Sequence, residues 1–176
     1  HVHTTKTHHT NIMSSNSQQE KQPQQQPKKL DGKVKAVLSG DTLVLSHPTK
    51  LFPPIEKTLT LVRIQAPRMA KRGETKEDAL AFEAREFLRK KCVGKLVTFQ
   101  VEYKNATTGR DYGSVFLDGE NIGEAILREG LAQFKASKKE SDEYKNLADA
   151  QEEAKEKKVG VWSEKKKSPR EIIWSG

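Results

Sequence analysis

Gly40-Asp41, set between Val37-Leu38-Ser39 and Thr42-Leu43-Val44, is the feature that most restricts how this chain can fold. A Gly-Asp pair between two runs of strand formers predicts a tight turn, so the ordered part opens as an antiparallel hairpin. Val34, Ala36 and Leu38 alternate with Lys33, Lys35 and Val37, which predicts a first strand buried on one face. Thr42 to Ser46 is its partner. Pro53-Pro54 excludes the next segment from a central strand. Leu59 to Ile64 reads as a third strand that stops before Pro67.

Beyond a basic loop, Thr75 is placed to cap a helix with Glu77 and Asp78 in its first turn. Leu80, Ala84, Phe87 and Leu88 form its apolar stripe, Arg89-Lys90-Lys91 lie at its C-terminal end, and Gly94 stops it. Leu96 to Tyr103 is a long strand with Val97, Phe99, Val101 and Tyr103 on one face, and Gly113 to Leu117 returns antiparallel. Ile122 to Glu129 is a short helix ended by Gly130. Ser141 is placed to cap a third helix with Tyr144, Leu147, Ala148, Gln151 and Ala154 inward, and Trp162 follows as an apolar plug. Three strands, a helix, two strands and two helices predict an α+β chain with a mainly β core. The expected architecture is a five-stranded OB-type barrel with three helices.

Residues 1–29 are polar and glutamine-rich, too poor in apolar surface to offset ordering entropy, and read as a disordered tail. His1, His3, His8 and His9 belong to it, as solvated groups rather than metal ligands. The folded domain is expected over 30–164, with 165–176 a basic linker. Glu171-Ile172-Ile173-Trp174 is apolar with nothing left to cover it, which points to a following domain. The single cysteine, Cys92, excludes an internal disulfide and reads as a small buried hydrophobe. No apolar run suits a membrane partner. A net charge of +8 suits a polyanionic partner, with solubility alone as the alternative.

Ser39-Gly40-Asp41-Thr42, the strand ending in Ala66-Pro67, Asp111-Tyr112-Gly113, the run from Gly123 to Ala132 and Gly160-Val161-Trp162-Ser163-Glu164 occur in an order that resembles the thermonuclease-type staphylococcal nucleases. With Ala81 to Lys91 added, the chain is most similar to the first nuclease-like repeat of the Tudor staphylococcal nuclease family. The resemblance implies a calcium-dependent phosphodiesterase ancestry. In active relatives calcium is held by two aspartates, a glutamate assists the attacking water, and two arginines clamp the phosphate. Of those five side chains only Asp41 is present, the only matching calcium ligand. Gln65 stands at the second aspartate, Arg68 at the glutamate, and Thr60 and Ser114 at the arginines. Arg63 is three residues from Thr60 and would face the other side of the strand. A cationic Arg68 held about 5 Å from a divalent ion would cost roughly 2–7 kcal/mol. Calcium needs six to eight oxygens, so no cofactor is expected, and Asp41 is read chiefly as a turn-fixing residue.

Three functions follow as expectations. The first is a catalytically impaired module binding RNA or single-stranded nucleic acid through Lys33, Lys35, Arg68, Lys71, Arg72, Lys104, Arg110 and Tyr112, with Lys138, Lys139 and Lys165 to Lys167 as further cations and Tyr103 as a second stacking ring. The second is a scaffold contacting adjacent nuclease-like repeats and other proteins. The third is a nuclease completed by further repeats. The resemblance also implies roles in RNA silencing, RNA stability and transcriptional coactivation, in the cytoplasm with the nucleus as a second location.

Overall fold

The Gly40-Asp41 turn forms where its residues predict, with Ser39 paired to Thr42 across it. The computed structural model describes residues 27–47, 55–138, 142–165, 168–170 and 172. Among them run strands β1 (Leu30–Ser39), β2 (Thr42–Ser46), β3 (Glu56–Leu61) and β4 (Ile64–Gln65), then helix α1 (Ala81–Cys92). β5 (Leu96–Lys104), β6 (Asp111–Leu117) and β7 (Glu120–Asn121) follow, then α2 (Ile122–Arg128), β8 (Gln133–Phe134) and α3 (Lys145–Lys157). The predicted tail to residue 26, Ser141, Ile173 and Trp174 lie outside the described residues.

Strands pair in the order β3-β2-β1-β5-β6, and β3 pairs β6 to close the ring. The result is a closed five-stranded barrel with three helices, the expected α+β fold of OB type. All its pairings are antiparallel except the closing one, which is parallel. Closure leaves the barrel no free edge. Val34, Leu43, Leu45, Leu59, Phe99 and Val115 fill the interior almost without exposure, and Ala84 and Leu88 of α1 with Ile122 and Ile126 of α2 extend that core. Each such large side chain contributes about 1.5–3 kcal/mol on burial. Cys92 is buried as predicted, its thiol donating to the Leu88 carbonyl and pushed up to about 11 by desolvation.

Three register shifts, two in β1 and one in β5, overturn the simple alternation. In β1, Val34 opposes Leu45 but Ala36 opposes Val44, so Lys35 is an extra residue. The inward phase is thereby lost. Val34 is buried and Val37 packs against the core, while Leu38, itself an extra residue between Val37 and Ser39, is 51% exposed. In β5, Val101 opposes Gly113 but Tyr103 opposes Tyr112, which makes Glu102 the extra residue and leaves Tyr103 51% exposed.

Other boundaries also move. The third strand ends at Leu61, because Arg63 turns with φ 61 and Ile64-Gln65 leave to pair with β8. Thr75 caps nothing: α1 starts at Ala81 behind Leu80, which is held at φ 68 without a side-chain cap. The carboxylates expected in its first turn are spent on the preceding loop, Asp78 accepting the N–H of Arg68 and Glu77 that of Ala70. Trp162 is half-buried rather than a core plug, with Lys155 Nζ 4.9 Å above its ring. The turn that carries it docks through a close backbone contact. Val161 donates to the Gly130 carbonyl, and a Cβ on Gly130 would lie 2.2 Å from the Val159 oxygen.

Candidate functional site

Asp41 leaves the β1–β2 turn with its carboxylate directed toward the chain after β4. Oδ1 accepts the hydroxyls of Ser39 at 2.7 Å and Thr42 at 2.9 Å, and Oδ2 accepts the backbone N–H of Ala66 at 2.9 Å. Its own carbonyl accepts from Leu61 at 2.7 Å. Thr42 therefore takes its second contact as an acceptor, from the buried Thr60 hydroxyl 3.1 Å away. Gly40 makes this convergence possible: a Cβ there would lie 2.7 Å from that of Ala84 and 2.8 Å from that of Ala66. The turn, α1 and the Ala66-Pro67 segment meet where only a hydrogen fits.

Around this knot opens a cleft of about 440 Å³ lined by Asp41, Thr60, Gln65, Arg68, Lys71, Arg110, Tyr112 and Lys135, with Leu38 among its apolar walls. Five predicted site residues are thus brought together: Asp41, Arg68, Lys71, Arg110 and Tyr112. Lys33, Lys35, Arg72 and Lys104 are not among its lining residues. Lys33 pairs with Ser46 at the far end of the hairpin, and Lys35 is tied to Glu56. Lys104 lies 3.9 Å from Asp111, which also binds Lys57 at 2.7 Å. Arg72 is exposed on the loop before α1. Lys135 was not foreseen. It is delivered by the two-residue strand β8, too short for any periodicity to mark, whose pairing with β4 continues through Lys135 N–H to the Arg63 carbonyl at 2.8 Å.

The cleft is positive on balance. Asp41 is the single acid among its lining residues, against Arg68, Lys71, Arg110 and Lys135. Arg68 spends its guanidinium on Glu74 at 2.7 Å and on the Lys76 carbonyl. The Glu74 hydrogen bond and charge hold Arg68 above its ordinary pKa, and the same bond from Arg68, with the Lys71 N–H, holds Glu74 below its own. The Lys71 charge also helps to lower Glu74, so that lysine is partly offset within its own loop, whereas no ion pair engages Arg110 or Lys135 among the described residues.

Tyr112 and Lys135 also border a second hollow of about 570 Å³, with Arg63, Glu102, Tyr103 and Tyr144. Tyr103 and Tyr112 stack with ring centroids 4.8 Å apart and planes 8° from parallel. Arg63 lies over the Tyr144 ring at 5.0 Å, so it serves this hollow and not the Asp41 cleft. Its exclusion comes from the turn at its own φ rather than from strand alternation. Burial raises the Glu102 carboxyl above the ordinary range despite the Tyr144 hydroxyl that it accepts. Tyr144 is pushed up to about 12 by burial and by its bond to Glu102.

These donors do not suit calcium. One carboxylate with both oxygens already accepting hydrogen bonds, beside a neutral amide, offers a fraction of the anionic oxygens the ion takes. Among the described residues no three His, Cys, Asp or Glu side chains gather as a metal site. No helix among them is long and apolar enough to cross a membrane.

Residues 58–164 match the family model described as Staphylococcal nuclease homologue. The chain is 43% identical over 143 residues to "Ribonuclease TUDOR 1" of Arabidopsis thaliana, covering 76% of this chain and 14% of that protein. It is 40% identical over 161 residues to "Staphylococcal nuclease domain-containing protein 1" of Drosophila melanogaster, covering 84% of this chain and 17% of that one. To the Schizosaccharomyces pombe protein of the same name it is 29% identical over 135 residues, 73% of this chain and 15% of the relative. The chain therefore spans about a sixth or less of the length of these relatives. Since the matched segment runs from β3 through the strand that closes the barrel to the turn after α3, over more than half of the sequence, this chain belongs to the staphylococcal nuclease homologue family.

Proposed function

We propose that this domain binds single-stranded nucleic acid, RNA above all, in the Asp41 cleft, and that it grips the strand without calcium-dependent cleavage. The observation that carries the reading is the cleft's charge: Lys71, Arg110 and Lys135 stand around one carboxylate whose oxygens are occupied by Ser39, Thr42 and Ala66. Cations on a concave wall suit phosphates, and Tyr112 beside them offers a surface for a base. Losing one transition-state donor typically costs about 10²–10³ in rate, and here Thr60, Gln65, Arg68 and Ser114 replace four functional groups. Calcium is accordingly no cofactor of this domain in the proposed reading. Adjacent nuclease-like repeats and other proteins are its further proposed partners.

Anisotropy of a labelled oligouridine titrated with the protein over a range of salt tests the proposal. The logarithm of affinity should fall linearly with that of salt, by about 0.7 per phosphate neutralised. Affinity constant from low to high salt would overturn it. A second reading is favoured by one relative's name, "Ribonuclease TUDOR 1": cleavage by a site that other parts of a longer chain complete. Degradation of RNA by this chain alone, lost in Asp41→Ala, would defeat the proposal. Cleavage by a longer chain but not by this one would favour the second reading.

A further inference from the structure

Outside the cleft, one charged contact joins the chain beyond α3 to the loop that carries Arg68 and Lys71. Glu77 sits on that loop with its side chain 1% exposed. A carboxylate so withdrawn from water needs partners on both oxygens. Oε2 accepts the N–H of Ala70 at 3.2 Å, and Oε1 accepts from Nε of Arg170, 93 residues further on, at 3.3 Å. Arg170 also lies over the ring of Phe82, 4.4 Å from its centroid, at the start of α1. The guanidinium thus meets an aromatic face and a buried acid together, a geometry suited to its flat fork. The rest of the loop is fastened within itself: Asp78 accepts the Arg68 N–H, and Glu74 that of Lys71.

We infer that Arg170 is a strap: it neutralises Glu77, holds the Ala70 stretch of the loop in place, and so sets where Lys71 stands in the cleft. The segment following the domain is then a regulator of the cleft, since whatever draws Arg170 away loosens one basic wall. The functional half of this inference rests on the nucleic-acid reading above. The structural half stands on contacts of the free protein.

Amide hydrogen exchange and oligouridine binding of the full chain separate the two. Arg170→Ala should speed exchange at Ala70 and Lys71 by roughly tenfold or more, because an unpaired buried carboxylate favours local opening. It should also weaken binding more than Lys90→Ala, which removes the same charge from an exposed position outside the cleft. Arg170→Lys should recover part of the protection, and in a Glu77→Gln background Arg170→Ala should add little. Unchanged exchange at Ala70 in Arg170→Ala, or an affinity loss equal to that of Lys90→Ala, would overturn the strap. If the wild type binds no oligouridine at all, the nucleic-acid reading fails while exchange still decides the contact.

Discussion

The backbone N–H of Ala66 donates to Oδ2 of Asp41 at 2.9 Å, fastening a hairpin turn to a segment 25 residues later in the chain. With the Ser39 and Thr42 hydroxyls on the other oxygen, the carboxylate is a structural hub for the β1–β2 turn and the chain after β4.

Replacing that hub should therefore cost stability. Asp41→Ala is expected to lose about 2–4 kcal/mol, the sum of hydrogen bonds accepted by a charged, half-buried group. Asp41→Asn, which keeps an acceptor, should lose less. Urea unfolding measures both, and an alanine variant as stable as the wild type would refute the structural role.

Calcium should leave the thermal midpoint where it is. A ligand stabilises only when its concentration exceeds its dissociation constant for the folded state, and one occupied carboxylate gives calcium no such affinity. Melting curves with millimolar calcium and with chelator should superimpose.

Lys71→Ala and Lys135→Ala should each weaken oligouridine binding and lower the salt slope by about 0.7, one phosphate contact. Lys35→Ala, whose ammonium is tied to Glu56 and stands outside the cleft, should leave that slope unchanged. All three should keep their stability within about 0.5 kcal/mol, as exposed substitutions do.

Gly40→Ala tests the convergence behind Asp41. The added methyl would press on Ala84 and Ala66 at 2.7 and 2.8 Å, an overpacking expected to cost about 1–3 kcal/mol. A midpoint equal to that of the wild type would contradict this close approach.

Glu102 gives the protein a pH-dependent weakness. Burial raises its pKa, so from the ordinary value of 4.5 up to the raised one the unfolded chain has released a proton that the folded chain retains. In that window the folded state binds more protons, and stability falls as pH rises. Relative to Glu102→Gln, the wild type should lose ground through the window and hold a constant difference above it. Urea midpoints of the two proteins across that range check the sign.

The barrel was readable because Val34, Leu43, Leu59, Phe99 and Val115 lie on strands whose burial shows in residue type. The departures have local causes that a period of two cannot register. Single extra residues at Lys35 and Glu102 reverse the phase behind them, Leu38 is a further extra residue before Ser39, and Leu38 and Tyr103 are turned out. Thr75, Glu77 and Asp78 carry the signature of a helix start, yet the two acids find backbone donors at Ala70 and Arg68 first. In the cleft, Asp41, Arg68 and Lys71 follow from the turn and loop that bear them. Lys135 does not, because only the pairing of β8 with β4 brings it near.

The seam between β3 and β6 sets Thr60 opposite Tyr112. One flank of the cleft is therefore contributed from before α1 and the other from well after it. A chain that stops short of β6, or is nicked so that β6 drifts from its neighbour, keeps most of its lysines but forfeits the groove that gives them direction. In the proposed reading, recognition by this domain is in that sense all-or-none: it arrives with the last strand of the ring and departs with it.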